Sequence, residues 1–242
     1  MKKRIRRISL ITLFVITGLL FVARFGGPKI LSFYIETAVG NCRDIPVLCI
    51  APQEEMVNPA VDEIYLAELR PYNFPGIRIF LPKGFTVVKQ MITKVYYKKW
   101  RQRAKGATIY LLYEPEGFFV RLFPQLKNNS INNDYDFISR VMYARVNEIN
   151  SVVDAFFVVM KSIFIPNLAD QHNVKIIKFT SPTQKGFIGY NIGTKENYFD
   201  CNIIGAGGYF KIYIKDKAKI LDLSKVLSII STIKKMPDAS LP

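Results

Sequence analysis

Nucleophilic and metal chemistry has little to work with in this chain. Among 242 residues there is one histidine, His172, and three cysteines, Cys42, Cys49 and Cys201. No C-x-x-C pair, H-E-x-x-H helix or G-x-S-x-G elbow occurs, and each of those chemistries needs its groups at a fixed spacing. His172 sits in NLADQHNV, a polar loop with no nucleophile motif to serve. IGAGGY, with Gly205, Gly207 and Gly208, joins two strand-like runs and lacks the Lys-Ser/Thr ending of a phosphate loop, so it reads as a hairpin turn. Glu114 and Glu116 fall in a Pro/Gly turn, where acids are expected, and do not read as opposed carboxylates. No catalytic residue, metal ligand or cofactor is assigned. An uncharacterised envelope hydrolase is the alternative class, to be separated by screening for turnover.

Acids are missing from one long stretch. Residues 69–113 contain ten cations and no Asp or Glu, and residues 1–7 contain five cations: Lys2, Lys3, Arg4, Arg6 and Arg7. Taking those fifteen from 34 Lys and Arg leaves 19, equal to the 19 acids, so the net +15 lies wholly in these two places. Half the residues are apolar, which supports a sizeable core and argues against global disorder.

The N-terminal cations precede ISLITLFVITGLLFVA, residues 8–23, an uncharged run of 16. That is a little short of the ~20 residues of a spanning helix, and longer than most signal-peptide cores. Arg24 can snorkel and lengthen it. Small residues that would mark a cleavage site are misplaced, since Phe21-Val22-Ala23 puts bulk where cleavage needs smallness and Ala38-Val39-Gly40 lies too far on. An uncleaved signal-anchor over 1–24 is therefore expected in an inner or plasma membrane. The flanking cations would remain cytoplasmic and the rest of the chain extracytoplasmic.

Residues 25–75 read as a juxtamembrane linker rich in proline, with a short helix through KILSFYIETAV and the cysteine pair NCRDIPVLC. An exported domain permits a Cys42–Cys49 disulfide; two reduced, buried thiols are the alternative. Cys201, in YFDCNII, reads as a small buried hydrophobe. The domain itself is expected over 76–236, with 237–242 a tail. IRIFLP (77–82), a strand within 85–103, ATIYLLY (107–113) and FFVRLF (118–123) alternate or run apolar as strands do. Two helices are expected next, over 135–149 and 151–164, the second opened by Ser151 with Asp154 three residues on. VKIIKFT, GFIGYNIG, YFDCNIIG and YFKIYIKD follow as four strands, and LDLSKVLSIISTIKK (221–235) as an amphipathic helix. Strands joined by tight turns, with helices set apart from them, define an α+β fold on an antiparallel β-sheet.

An opening strand ending in Pro82-Lys83-Gly84-Phe85, two meanders separated by helices, and a closing helix carrying SIISTIKK resemble the PsbP-like superfamily, which holds photosystem II extrinsic proteins and a Ran-binding import factor. The resemblance covers about 76–236. It implies an α/β/α sandwich and a non-catalytic accessory or assembly role, and it transfers no functional residue.

KVYYKKWRQRAKG, residues 94–106, gathers six cations around the only tryptophan. Lys94, Tyr96, Lys98, Lys99, Trp100, Arg101, Arg103 and Lys105 are the candidate site. In an extended strand Lys99, Arg101 and Arg103 share one face and Tyr96, Lys98 and Trp100 the other, and neither face is apolar throughout. An exposed hairpin whose lysines discourage edge pairing accounts for this. So does an arm for an anionic surface, either lipid headgroups or an envelope polymer. Single-stranded nucleic acid suits the composition but not the outward topology. A single-pass membrane protein with an unidentified protein partner completes the reading.

Overall fold

The computed structural model describes residues 28–38, 40–74, 77–91, 98–104, 106–165, 168, 173–193, 195–205 and 207–236, with backbone alone at 28, 29, 31, 32, 38 and 74 and along 86–91 and 98–104. The apolar run 8–23 and His172 lie outside the described residues. Among the described residues no helix is long and apolar enough to cross a membrane. The chain divides into two units, one of residues up to Ala51 together with Arg140–Val174, the other of Pro52–Ser139 together with Lys175–Pro242.

In the second unit, alternation of apolar side chains decides the sheets. The larger has eight strands among the described residues: β1 (Glu54–Val57), β4 (Thr86–Met91), β5 (Lys98–Ala104), β6 (Ala107–Pro115), β7 (Lys175–Thr180), β8 (Gln184–Ile192), β9 (Asn197–Gly205) and β10 (Gly208–Asp216). Their order is β1-β7-β8-β9-β10-β6-β5-β4, antiparallel except that β1 runs parallel to β7, with Met56 opposite Phe179. Strands β2 (Leu69–Phe74), β3 (Ile77–Pro82) and β11 (Lys234–Lys235) form a smaller sheet. On β6 the period of two buries Ala107, Ile109 and Leu111; on β10 it buries Phe210, Ile212 and Ile214 on the same face. They join Ile77, Ile79 and Leu81 of β3 and Val226, Ile229 and Ile230 of a C-terminal helix in one core. On the opposite face, Phe119 meets Tyr209 edge-on at 4.9 Å and Tyr135 stacks on Phe187 at 6.0 Å. Helical segments thus flank the large sheet on both faces, in a mixed α+β fold.

The helices are α1 (Pro28–Ala38), α2 (Glu63–Glu68), α3 (Phe118–Leu122), α4 (Asp134–Tyr143), α5 (Val152–Phe164) and α6 (Leu223–Ser231). In the first unit Ile35 of α1 packs with Leu48, Val146, Ile149, Ala155 and Val158. Ser151 caps α5, its hydroxyl accepting from the Asp154 amide at 3.1 Å and donating to the Asp154 carboxylate at 2.8 Å, which is the relation expected from the sequence.

Several expectations change, among them the helix read over 135–149, which runs only to Tyr143 and is followed by a separate 3-10 turn, Val146–Glu148. FFVRLF is not a strand: residues 118–122 form α3, because the Asp134 carboxylate accepts from the amides of Gly117, Phe118 and Phe119 at 2.6, 3.2 and 2.9 Å and so satisfies the helix start. The stretch 85–103 holds two paired strands, β4 and β5, rather than one. The closing helix stops at Ser231, where Thr232 accepts the Phe80 amide of β3 at 2.9 Å and donates to the Ile229 carbonyl, freeing Lys234 and Lys235 to pair with β3. Residues 52–75, read as linker, supply β1 and β2 to the sheets of the second unit.

Candidate functional site

The basic stretch lies where β5 stands one strand in from the β4 edge of the large sheet. The turn Ala104–Ala107 closes β5 onto β6, with Gly106 at φ 78°, a left-handed value that suits glycine. From there the rungs run to Trp100 opposite Leu111, and no further. Strand β6 itself continues to Pro115, still paired with β10. Pairing between β4 and β5 also continues, through Gln90–Lys99 to Met91–Lys98. Among the described residues, the β4–β5 pairing therefore extends two residues beyond the last β5–β6 rung at Trp100. Lys98, Lys99, Trp100, Arg101 and Arg103 all lie on this strand. Lys94, Tyr96 and Lys105 lie outside the described residues.

Around the cysteine pair, the first unit holds a group that the sequence did not flag. Cys42 and Cys49 are joined in a disulfide, with Cα atoms 5.6 Å apart. The bridge closes a loop ending in the 3-10 turn Pro46–Cys49, whose Val47 and Leu48 are fully buried. The next residue, Ile50, presents its carbonyl to the Lys161 ammonium of α5. Lys161 also donates to the Ala144 carbonyl at 2.9 Å, one residue beyond the end of α4. Its side chain is completely buried. Burial, and secondarily the nearby Arg145 guanidinium, lowers its pKa from 10.5 to about 7. Arg145 is itself paired with Glu148. The signal available in the sequence is a lone lysine inside VVDAFFVVMKSIF, a helix otherwise apolar on the sides that become core.

In the second unit a cleft of about 480 Å3 is lined by Glu116, Gly117, Arg121, Asn132, Asp134 and Lys185, among others. Three of its charged side chains are engaged in structure. Arg121 donates to the Glu116 carbonyl at 2.6 Å, Asp134 caps α3, and the Lys185 ammonium lies over the Tyr135 ring at 4.1 Å. Glu114 is not in the turn expected for it. It sits near the end of β6 opposite Tyr209, 4 % exposed, and burial raises its pKa from 4.5 to about 7. Cys201 is fully buried in β9, and burial pushes its thiol well above the ordinary range. Among the described residues no group of His, Cys, Asp and Glu is placed to hold a metal ion.

No family model and no curated protein matches the chain. Among solved structures, the solution structure of cyanobacterial PsbP (CyanoP) from Synechocystis sp. PCC 6803 is similar to it, with 11% sequence identity and a TM-score of 0.40, over 74% of this chain and 98% of that one.

Proposed function

We propose that the protein is a membrane-anchored, extracytoplasmic binding or assembly module that meets anionic surfaces through its β4–β5 hairpin. The observation that carries this reading is the extension of β4–β5 pairing two residues beyond the last β5–β6 rung at Trp100. Lys98 and Lys99 lie on the part of β5 beyond its last rung with β6, and Trp100, Arg101 and Arg103 follow them on the strand, still paired with β6. Each cation near an anionic bilayer contributes about 1 kcal/mol, and tryptophan favours the interfacial layer. The uncharged run 8–23 behind five cations supports an anchor with its N-terminus in the cytoplasm.

The test is co-sedimentation of residues 25–242 with anionic vesicles over a salt series. Binding is expected at low salt and release as salt rises, since the Debye length falls to ~8 Å at physiological ionic strength. Changing Lys98, Lys99, Arg101 and Arg103 together to Gln is expected to abolish most of the binding with the fold intact. Trp100→Ala should weaken it with little change in salt dependence. Equal binding by the four-fold variant, or none by the parent, refutes the proposal.

A further inference from the structure

Helix α1 is apolar on two sides. Ile35 is fully buried among the core residues of the first unit, whereas Ile30 and Phe33 stand 56% and 70% exposed. Ile30, Phe33 and Thr37 follow the spacing that lines one side of a helix, and Ile35 lies about 200° around the axis from Phe33. The exposed side is thus separate from the side that packs. Glu36 and Thr37 are exposed at the C-terminal end, so the outward face changes from apolar to polar along its length. The first unit is the smaller of the two, yet among the described residues it carries five of the ten exposed large apolar side chains: Ile30, Phe33, Tyr143, Val152 and Ile163.

What precedes α1 in the chain names the occupant. The apolar run ends at Ala23 and the helix begins at Pro28, with residues 24–27 between them. The five peptide steps from Ala23 to Pro28 reach at most ~18 Å. The headgroup layer beyond the hydrocarbon is itself about 5–8 Å deep. A chain held by residues 8–23 therefore keeps the first turn of α1 beside the headgroups, and that turn and the next bear Ile30 and Phe33. An amphipathic helix so tethered lies in the plane of the interface with its apolar side at the acyl boundary.

We infer that α1 is an interfacial helix that seats Ile30 and Phe33 in the lipid of the bilayer its own chain spans. The partner is the membrane surface itself, through apolar contact rather than charge. This rests on the anchoring reading proposed above, and the experiment separates the two.

The full chain is reconstituted into vesicles of neutral phosphatidylcholine, where the cations of β4 and β5 have no anionic lipid to meet. Phe33→Trp adds an indole whose emission is taken as the difference from the parent spectrum, and Ile30→Trp gives a second probe should the first disturb the helix. The expected result is a blue-shifted difference spectrum, at least two-fold quenching by lipid brominated high on its acyl chains, and protection from aqueous acrylamide. An indole that emits as in water and is quenched by acrylamide, in a chain that still resists carbonate extraction, overturns the interfacial helix and leaves the anchor standing. Protection from acrylamide without bromine quenching means that protein covers the face, and overturns the lipid occupant. Release of the chain by carbonate overturns the anchor and this inference with it.

Discussion

Lys161 makes the stability of the first unit rise with pH, over a neutral-to-alkaline range rather than the acid range of carboxylates. Its ammonium has a pKa of 10.5 in the unfolded chain and about 7 in the folded one. Below pH 7 both states hold the proton, and folding must bury the charge. The difference of ~3.5 units corresponds to about 5 kcal/mol, an upper figure because the two carbonyl acceptors offset part of it. Between pH 7 and 10.5 the unfolded chain binds a proton that the folded chain does not, so stability rises by up to ~1.4 kcal/mol per unit. About 3 kcal/mol of this falls below pH 9. Lys161→Met keeps the volume and removes the titration, but strands the Ile50 and Ala144 carbonyls at about 1–3 kcal/mol each. At pH 6 the two effects nearly cancel, and the variant should unfold close to the parent. At pH 9 the parent regains most of its deficit, and the variant should fall below it by about 3 kcal/mol. Urea titrations followed by circular dichroism at pH 6, 7.5 and 9 measure the gap. A parent–variant difference that stays constant across the three would show that Lys161 keeps an ordinary pKa, and that the two carbonyls solvate its charge fully.

Two other perturbations test the remaining buried chemistry. Glu114 ionises at 4.5 when unfolded and at about 7 when folded, so its contribution to stability is lost as pH rises from 4.5 to 7. Glu114→Gln should leave the urea midpoint unchanged at pH 4 and raise stability by up to ~3 kcal/mol at pH 8, and an equal shift at both would reject the burial argument. For the Cys42–Cys49 bridge, thiol labelling of unfolded, unreduced protein is expected to modify Cys201 alone. Reduction should lower stability by about 2 kcal/mol for so short a loop, and three labelled thiols without reductant would contradict it.

Alternating strands are legible in this sequence because the sheet faces are so uneven. IRIFLP, ATIYLLY and YFKIYIKD write the buried face at every second residue, and β3, β6 and β10 match them within two residues. Helix α5 announces itself through Ser151 and Asp154, a cap that acts over three residues. What fails is whatever acts over longer distances. Residues 118–122 have a strand's composition and become helical because Asp134 supplies the cap from sixteen residues beyond Phe118. Lys161 looks like any helix lysine until Ile50, 111 residues earlier, brings it a carbonyl. Glu114 reads as a turn acid because Pro115 follows it, yet pairing with Tyr209 carries β6 through the proline. The basic stretch was legible as charge and as a strand, but how far it pairs with β6 is something no local signal records.

The division of the first unit between Ala51 and Arg140 bears on how the chain is made. Ile35 and Leu48 emerge from the ribosome well before Val146 and Val158, which are their partners. Closing so long a loop is entropically slow. At synthesis rates of about 5–20 residues per second, the early segment waits some 5–20 s with its apolar side chains uncovered. A chaperone or the translocation machinery has that interval in which to act. A fragment begun at residue 52 would retain α5 and lose Ile35, Leu48 and the Ile50 carbonyl. Shortening the chain to residue 52 therefore removes two of the six buried residues of that core, and a sound boundary for expression lies ahead of α1.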